Sequence, residues 1–341
     1  MGRFYAGLVL SFLALIIFHI IFLLTNFYFW IVNGIDFVVQ GTNFIETIYF
    51  SIYLKWMGLV DAIWILLFFA FMIKRKHYKT DPKLHYLVET KISKPKICVI
   101  IPTYNEEKIV KQVILDFQNQ ENILEIIIID NHSTDNTVKI AREFHVSVFI
   151  NEKNLGFAHS CVLGFKKALD TDANIMILTE CDGTFSGNDI MKMIPYLDNC
   201  DMVVGTRQIQ VLTEKGNQNS MFYVWGNYLL AKIIQIKYFS LLHLGIVELT
   251  DVGCTYRAIR RDSLQKIIEK FENPNTGEVK VSIDSGLFAI FMTMLGIENN
   301  LRIVEIPVTF KKRTGISKTQ ANKKTKGIMY GLRFFWYIIT H

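Results

Sequence analysis

The residues best suited to chemistry stand in three short polar runs, each directly after an apolar stretch. Pro102-Thr103-Tyr104-Asn105-Glu106 follows Ile97–Ile101, and Asp130-Asn131-His132-Ser133-Thr134-Asp135 follows the isoleucine run ending at Ile129. Glu180-Cys181-Asp182-Gly183 follows the run Asn174–Leu178. Glu180 and Asp182, one residue apart, can both turn towards one hard cation where a chain leaves a strand, because the turn breaks strict side-chain alternation. Mg²⁺ or Mn²⁺ would take such oxygens together with water and diphosphate. Neither the dinucleotide glycine fingerprint nor a P-loop is present, so phosphate held directly in a glycine-rich cradle is not supported. An acid pair at a solvated strand end is also a common structural feature, and by itself decides nothing. The five cysteines (Cys98, Cys161, Cys181, Cys200, Cys254) show no CxxC and no histidine at ligand spacing. They read as buried, reduced thiols.

The elements that must carry these runs follow from the apolar pattern. Ile97–Ile101, Glu125–Ile129, Val146–Ile150 and Asn174–Leu178 read as strands with continuous apolar cores. Glu106–Asn119, Thr137–Phe144 and Ala158–Leu169 read as the intervening helices. Strands alternating with helices of this length predict an α/β domain whose parallel sheet is covered on both faces. In such sheets ligands bind beyond the carboxyl ends of the strands, where the three polar runs fall.

Composition adds a membrane part. The chain has 341 residues, 51% apolar and 20% charged, which excludes a disordered chain and a disulfide-stapled mini-domain. Residues 5–32 contain no Lys, Arg, Asp or Glu and are long enough to span a bilayer with some tilt. A second apolar stretch, Trp56–Ile73, contains Asp61 and ends on Lys74-Arg75-Lys76. His19 in the first stretch reads as a polar residue packed between helices, and Asp61 as a functional or helix-pairing residue. Asp36 and Glu46 lie between the spans without a basic residue, so the positive-inside rule predicts a hairpin with both ends cytoplasmic. The expected organisation is a transmembrane hairpin at 1–78, a linker at 79–94, a catalytic domain at 95–310 and a basic, interfacial segment at 311–341. The net charge of +6 is concentrated in two acid-free runs, 74–79 and 311–326, which hold eleven positive charges. The rest of the chain is net acidic, which argues for a membrane surface and against nucleic acid as partner.

The order of motifs resembles a known family. PTYNE, IIIIDNHSTDNT, Asn154–Gly156, ECDGTF, VVGTR (Val203–Arg207) and TDVGCTYRAIRR (Thr250–Arg261) together look like family 2 glycosyltransferases of the GT-A fold. Within them the chain is most similar to polyisoprenyl-phosphate sugar synthases of the dolichyl-phosphate mannose or glucose type. The resemblance implies a Rossmann-like, mostly parallel sheet with helices on both faces. It implies that Pro102, Tyr104, Glu106, Asp130 and Gly156 line the nucleotide-sugar pocket with Asp182. Asp182, with Glu180, would hold Mg²⁺ or Mn²⁺ on the diphosphate, and Asp251 matches the acid near the reacting centre. Arg313-Thr314-Gly315-Ile316-Ser317-Lys318 resembles the family's R-x-G-x-SK segment. There Arg313, Ser317 and Lys318 offer a fork, a hydroxyl and an ammonium for an acceptor phosphate, with Arg207 as a further candidate.

What the resemblance implies is a single inverting, metal-dependent sugar transfer from a UDP- or GDP-sugar to a polyisoprenyl phosphate at the cytosolic membrane face. A homo-oligomer is compatible with it. The family's first metal Asp is Glu180 here, and the second glycine of its NxGxGxA is Ala158. The QxxRW motif of processive synthases is missing, which favours transfer of one sugar. Two alternatives stand beside this expectation: an enzyme for a hydroxyl acceptor, which would need Asp251 as a true base, and a non-catalytic nucleotide-sugar-binding membrane protein.

Overall fold

The computed structural model describes residues 2–40, 52–74, 87–215, 221–238, 247–281, 285–314 and 324–341. The chain divides into two units, Met1–Lys79 with Ile339–His341, and Thr80–Ile338. The first unit holds α1 (Gly2–Gln40) and α2 (Ile52–Lys74), and the stretches Gly2–Thr25 and Lys55–Ile73 are long and apolar enough to cross a membrane. Ser11 and Thr25 donate their hydroxyls to carbonyls one turn back, which satisfies them inside an apolar helix. The two helices pair through Trp64, whose ring lies 4.7 Å from that of Phe12 and whose Nε1 donates to the Leu8 carbonyl. His19 Nε2 faces Asp61 Oδ2 at 3.5 Å, so the histidine of one apolar stretch meets the acid of the other. Asp36 falls within α1 rather than in a loop; Glu46, Arg75, Lys76 and Lys79 lie outside the described residues.

The second unit is built on seven strands: β1 (Ile97–Thr103), β2 (Ile123–Asp130), β3 (Ser147–Ile150), β4 (Ile175–Leu178), β5 (Met202–Thr206), β6 (Arg257–Arg260) and β7 (Ile303–Pro307). Their order is β3-β2-β1-β4-β6-β5-β7. Every pairing is parallel except those of β6, which runs antiparallel to both β4 and β5. Every residue of β1 is buried, which is why its sequence is a continuous apolar run and not an alternation. On one face Ile97, Val99 and Ile101 join a core with Val110, Val113, Ile114 and Phe117 of α3 (Val110–Gln118). On the other, α4 (Thr137–Ala141) having been passed, α5 (Phe157–Leu169) lies so close that a Cβ at Gly164 would stand 2.3 Å from Ile100 Cγ2.

The longer helices that follow among the described residues are α6 (Met221–Lys237), α7 (Arg261–Ile267), α8 (Ser285–Glu298) and α9 (Lys324–Thr340). Trp225 and Leu229 on α6, and Leu332 and Trp336 on α9, are large apolar side chains left exposed.

Three differences from the sequence-based expectation have local causes. The helix expected from Glu106 begins at Val110, because residues 105–107 are held by hydrogen bonds to the loop after β2. The helix expected over Thr137–Phe144 stops at Ala141. The segment expected as a linker is docked from Val88 onwards. Arg302 Nη1 donates to Val88 O, Arg260 Nη1 to Thr90 O, and Asp198 accepts from the Ile92 amide.

Candidate active site

Because β1, β2, β4 and β5 point the same way, their carboxyl ends bring the polar runs to one edge of the sheet. The first two runs are stitched together. The Asn105 amide donates to Ser133 Oγ at 2.8 Å, Asn105 Oδ1 accepts from the Thr134 amide, and the Glu106 amide donates to Thr137 Oγ1. Asn105 adopts a left-handed backbone (φ 53°), which this side chain tolerates because it bonds locally. Pro102 is paired in register with Ile129, so Tyr104 and Glu106 emerge half-buried just past the strand.

Asp130, fully buried, folds its own loop: Oδ2 accepts the Ser133 amide and Oδ1 the Ser133 hydroxyl. The loop after β3 is joined through Asn131, which donates to Asn154 Oδ1 at 2.7 Å and accepts from the Leu155 amide. Gly156 opens α5 with φ 89°, a conformation that favours glycine.

The acid pair follows β4. Asp182 is 2% exposed, and its Oδ1 accepts both the amide and the hydroxyl of Thr184. Its Oδ2 lies 3.0 Å from Arg313 Nη1, while Arg313 Nη2 stands 3.8 Å from Glu106 Oε1. The main chain holds Arg313 there, since Lys311 N donates to Thr184 O and Thr314 N to Asp182 O. Glu180 accepts from Thr255 Oγ1 at 2.7 Å. Burial, and then the neighbouring Asp182 charge, push the Glu180 carboxyl up to about 7, against the pull of Thr255 and Arg313.

A divalent cation fits these residues. Two carboxylates stand side by side, and a guanidinium leans on one of them with its buried Nε lacking an acceptor. No group of three or more His, Cys, Asp or Glu able to hold a metal occurs among the described residues. Two carboxylates suit Mg²⁺ or Mn²⁺ that keep water and diphosphate oxygens as their other ligands.

Asp251 is linked to Glu180 through its own loop, in which Thr255 donates to Glu180. It is 1% exposed and gripped by Arg207, whose Nε donates to Oδ2 at 2.7 Å and Nη2 to Oδ1 at 2.8 Å. The amides of Arg207 and Gly253 add two more bonds. Burial would raise the Asp251 carboxyl, but the Arg207 charge and these donors outweigh it and hold the group below the ordinary aspartate value. Arg207 in turn stacks on the Phe310 ring at 5.2 Å. Its fork, expected to reach for a phosphate, is committed to Asp251. Ser317 and Lys318 lie outside the described residues.

Sequence reasoning quoted Thr250 and Thr255 within the motif Thr250–Arg261 without giving them a role, and it gave none to Glu305, whose signal is a lone acid inside the apolar strand β7; all three shape the Asp251 loop. Glu305 is pushed up to about 7, chiefly by burial and further by Asp251, against the hydrogen bonds it accepts from Thr250 and Asp251. Glu180 and Glu305 therefore hold protons in the folded state that the unfolded chain releases near 4.5. Stability from both groups is fully present below that value and is lost as pH rises through about 7. Thermal melts without divalent cation should show the midpoint falling across this window, and Glu305→Gln should flatten the fall.

A seven-stranded, mostly parallel sheet with polar loops at the carboxyl ends of its strands and an acid pair after the fourth is the architecture of a GT-A glycosyltransferase. Residues 98–268, just over half of the chain, match glycosyl transferase family 2, and the chain belongs to that family. It is 26% identical over 229 residues to a polyprenol monophosphomannose synthase of Mycolicibacterium smegmatis, covering 64% of this chain and 79% of that protein. An undecaprenyl-phosphate mannosyltransferase of Micrococcus luteus is 24% identical over 226 residues, covering 64% and 84%. Among solved structures, glucosyl-3-phosphoglycerate synthase from Mycobacterium tuberculosis, in complex with Mn²⁺, UDP and phosphoglyceric acid, aligns with a TM-score of 0.48. Its identity is 15%, over 72% of this chain and 78% of that one.

Proposed function

We propose that the chain transfers one sugar, with inversion, from a UDP- or GDP-sugar to a polyisoprenyl phosphate at the cytosolic face of a membrane. The observation that carries this reading is the state of Asp251. A carboxylate gripped by Arg207 and held below its ordinary pKa is a poor proton acceptor. A hydroxyl acceptor would need a base, whereas a phosphate monoester arrives already ionised and needs only to be positioned. The names of the two curated relatives, both polyprenyl-phosphate mannosyltransferases, support the same acceptor class.

In this reading Pro102, Tyr104, Glu106, Asp130 and Gly156 hold the nucleotide and sugar. Glu180 and Asp182 would hold the divalent cation, which when bound neutralises the leaving diphosphate as a Lewis acid. Asp251 and Arg207 form a fixed, charge-balanced wall beside the reacting centre, and Arg313, Ser317 and Lys318 meet the acceptor phosphate. In-line attack opposite the diphosphate inverts the anomeric carbon. The apolar faces of α6 and α9 would rest on the bilayer beside the lipid, with α1 and α2 crossing it.

The test is direct. Full-length protein is incubated with Mg²⁺ or Mn²⁺, a panel of UDP- and GDP-sugars, and either undecaprenyl phosphate, dolichyl phosphate or diacylglycerol. A polyprenyl-phosphate sugar identified by mass is expected. A glycosylated diacylglycerol in its place, or nucleotide binding with no product, would overturn the reading.

A further inference from the structure

Glu305 sits in β7, in register with Val204 of β5, three residues before Arg207. Its carboxylate reaches across to the Asp251 loop and accepts three hydrogen bonds there. Oε2 takes the Thr250 amide at 2.8 Å and the Thr250 hydroxyl at 2.7 Å, and Oε1 takes the Asp251 amide at 3.0 Å. The Thr250 hydroxyl has one proton, which Glu305 receives. The 2.8 Å contact between Thr206 and Thr250 must then be donated by Thr206, whose own oxygen accepts from the Gln208 amide. A relay thus runs from the end of β5 through Thr206 and Thr250 into Glu305, whose two carboxyl oxygens accept at its end.

Asp251 is therefore anchored twice. Its carboxylate is held by Arg207 from the end of β5, and its peptide by Glu305 from the neighbouring strand. The charged groups facing Glu305 are Asp251 itself and, beyond it, Arg207. The loop has little room to shift, since a Cβ at Gly253 would stand 3.1 Å from Arg207 Nη2 and 3.6 Å from Asn227 Oδ1 on α6. The rest of the loop is fixed independently, with Cys254 O accepting from Arg257 Nη2 at 2.6 Å and Thr255 bonded to Glu180.

We infer that Glu305 is a positioning residue for sugar transfer: it fixes the Thr250–Asp251 peptides so that the Asp251–Arg207 pair stands in one place beside the reacting centre. This rests on the reading that Asp251 faces that centre. Glutamine at 305 keeps one acceptor but turns an amide donor towards groups that are themselves donors, so the loop loses its lock while the nucleotide loops after β1 and β2 keep theirs.

The experiment compares wild type, Glu305→Gln and Thr250→Val as full-length proteins. For Glu305→Gln, kcat should fall about 10- to 100-fold, the loss that misplacement of a reacting group brings. The KM for the donor, and the dissociation constants of Mn²⁺–UDP and Mn²⁺–GDP, should stay within about twofold of wild type. Amide exchange in a peptide covering 247–257 should quicken, with 97–130 unchanged. Thr250→Val, which removes one of the three bonds, should show the same pattern more weakly. Wild-type kcat and exchange in Glu305→Gln would overturn the inference. So would a joint collapse of kcat, nucleotide binding and melting temperature, which would make Glu305 a fold residue only. If wild type itself transfers no sugar to any polyprenyl phosphate, it is the proposed function that fails. Amide exchange then decides the Glu305 question alone: faster exchange at 247–257 sustains it and unchanged exchange ends it.

Discussion

Arg207→Met is expected to destabilise the catalytic unit by about 3–5 kcal/mol, the usual cost of removing one partner of a buried ion pair. Asp251 has no exposed side-chain surface, and Arg207 supplies three of the four donors that hold its carboxylate. Without the guanidinium, burial would drive the Asp251 pKa upward, so the loss should be smaller at low pH, where the carboxyl is neutral. The double variant Arg207→Met with Asp251→Leu should regain most of the lost stability, because apolar replacement of a whole buried pair is often neutral or favourable. It should remain inactive. Denaturant unfolding of the two variants measures both effects. A single-variant loss below about 1 kcal/mol, the scale of an exposed ion pair, would show that the pair is solvated.

Asp182→Asn should reduce transfer by about 10³-fold, on the scale of removing a main electrostatic contact to the developing charge. The fold should survive, since an asparagine Oδ1 can still accept from the Thr184 amide and hydroxyl. The Glu180 carboxyl, now raised by burial and then by Asp182, should relax part of the way towards its ordinary value once the neighbouring charge is gone. Titration with Mn²⁺ followed by its paramagnetic resonance should show weakened binding in step with the loss of turnover. Transfer retained above a tenth of wild type would remove Asp182 from any metal role.

Much of the fold was legible in the sequence because parallel strands buried on both faces must be continuous apolar runs. Ile97–Thr103 and Ile123–Asp130 announce themselves in that way. The antiparallel β6 was not legible. Arg257 interrupts its apolar pattern, and that arginine is buried only because the Cys254 and Ala289 carbonyls and the Thr293 hydroxyl accept from it. The acids of the site were visible through their position after strands. Their pairings were not, because Arg207 with Asp251, Arg313 with Asp182 and Glu305 with Thr250 join segments between 44 and 131 residues apart in the chain. Short-range spacing carries no record of such contacts; they appear only when β5, β6 and β7 are placed side by side.

Arg313 has a consequence for the order of events. The main-chain bonds at Lys311 and Thr314 fix the backbone beside residues 182–184, so the side chain alone is left to swing. While the guanidinium occupies Asp182 it keeps the acid pair from repelling itself, as a resident counter-ion. Under the proposed function, a cation held by Glu180 and Asp182 would take the place of that counter-ion and leave a cationic fork free beside the acceptor phosphate. The second substrate's binding group is then delivered by the first substrate's arrival. The expected kinetic pattern is compulsory order, donor before acceptor, and an Arg313→Ala enzyme should lose that order along with its affinity for the lipid.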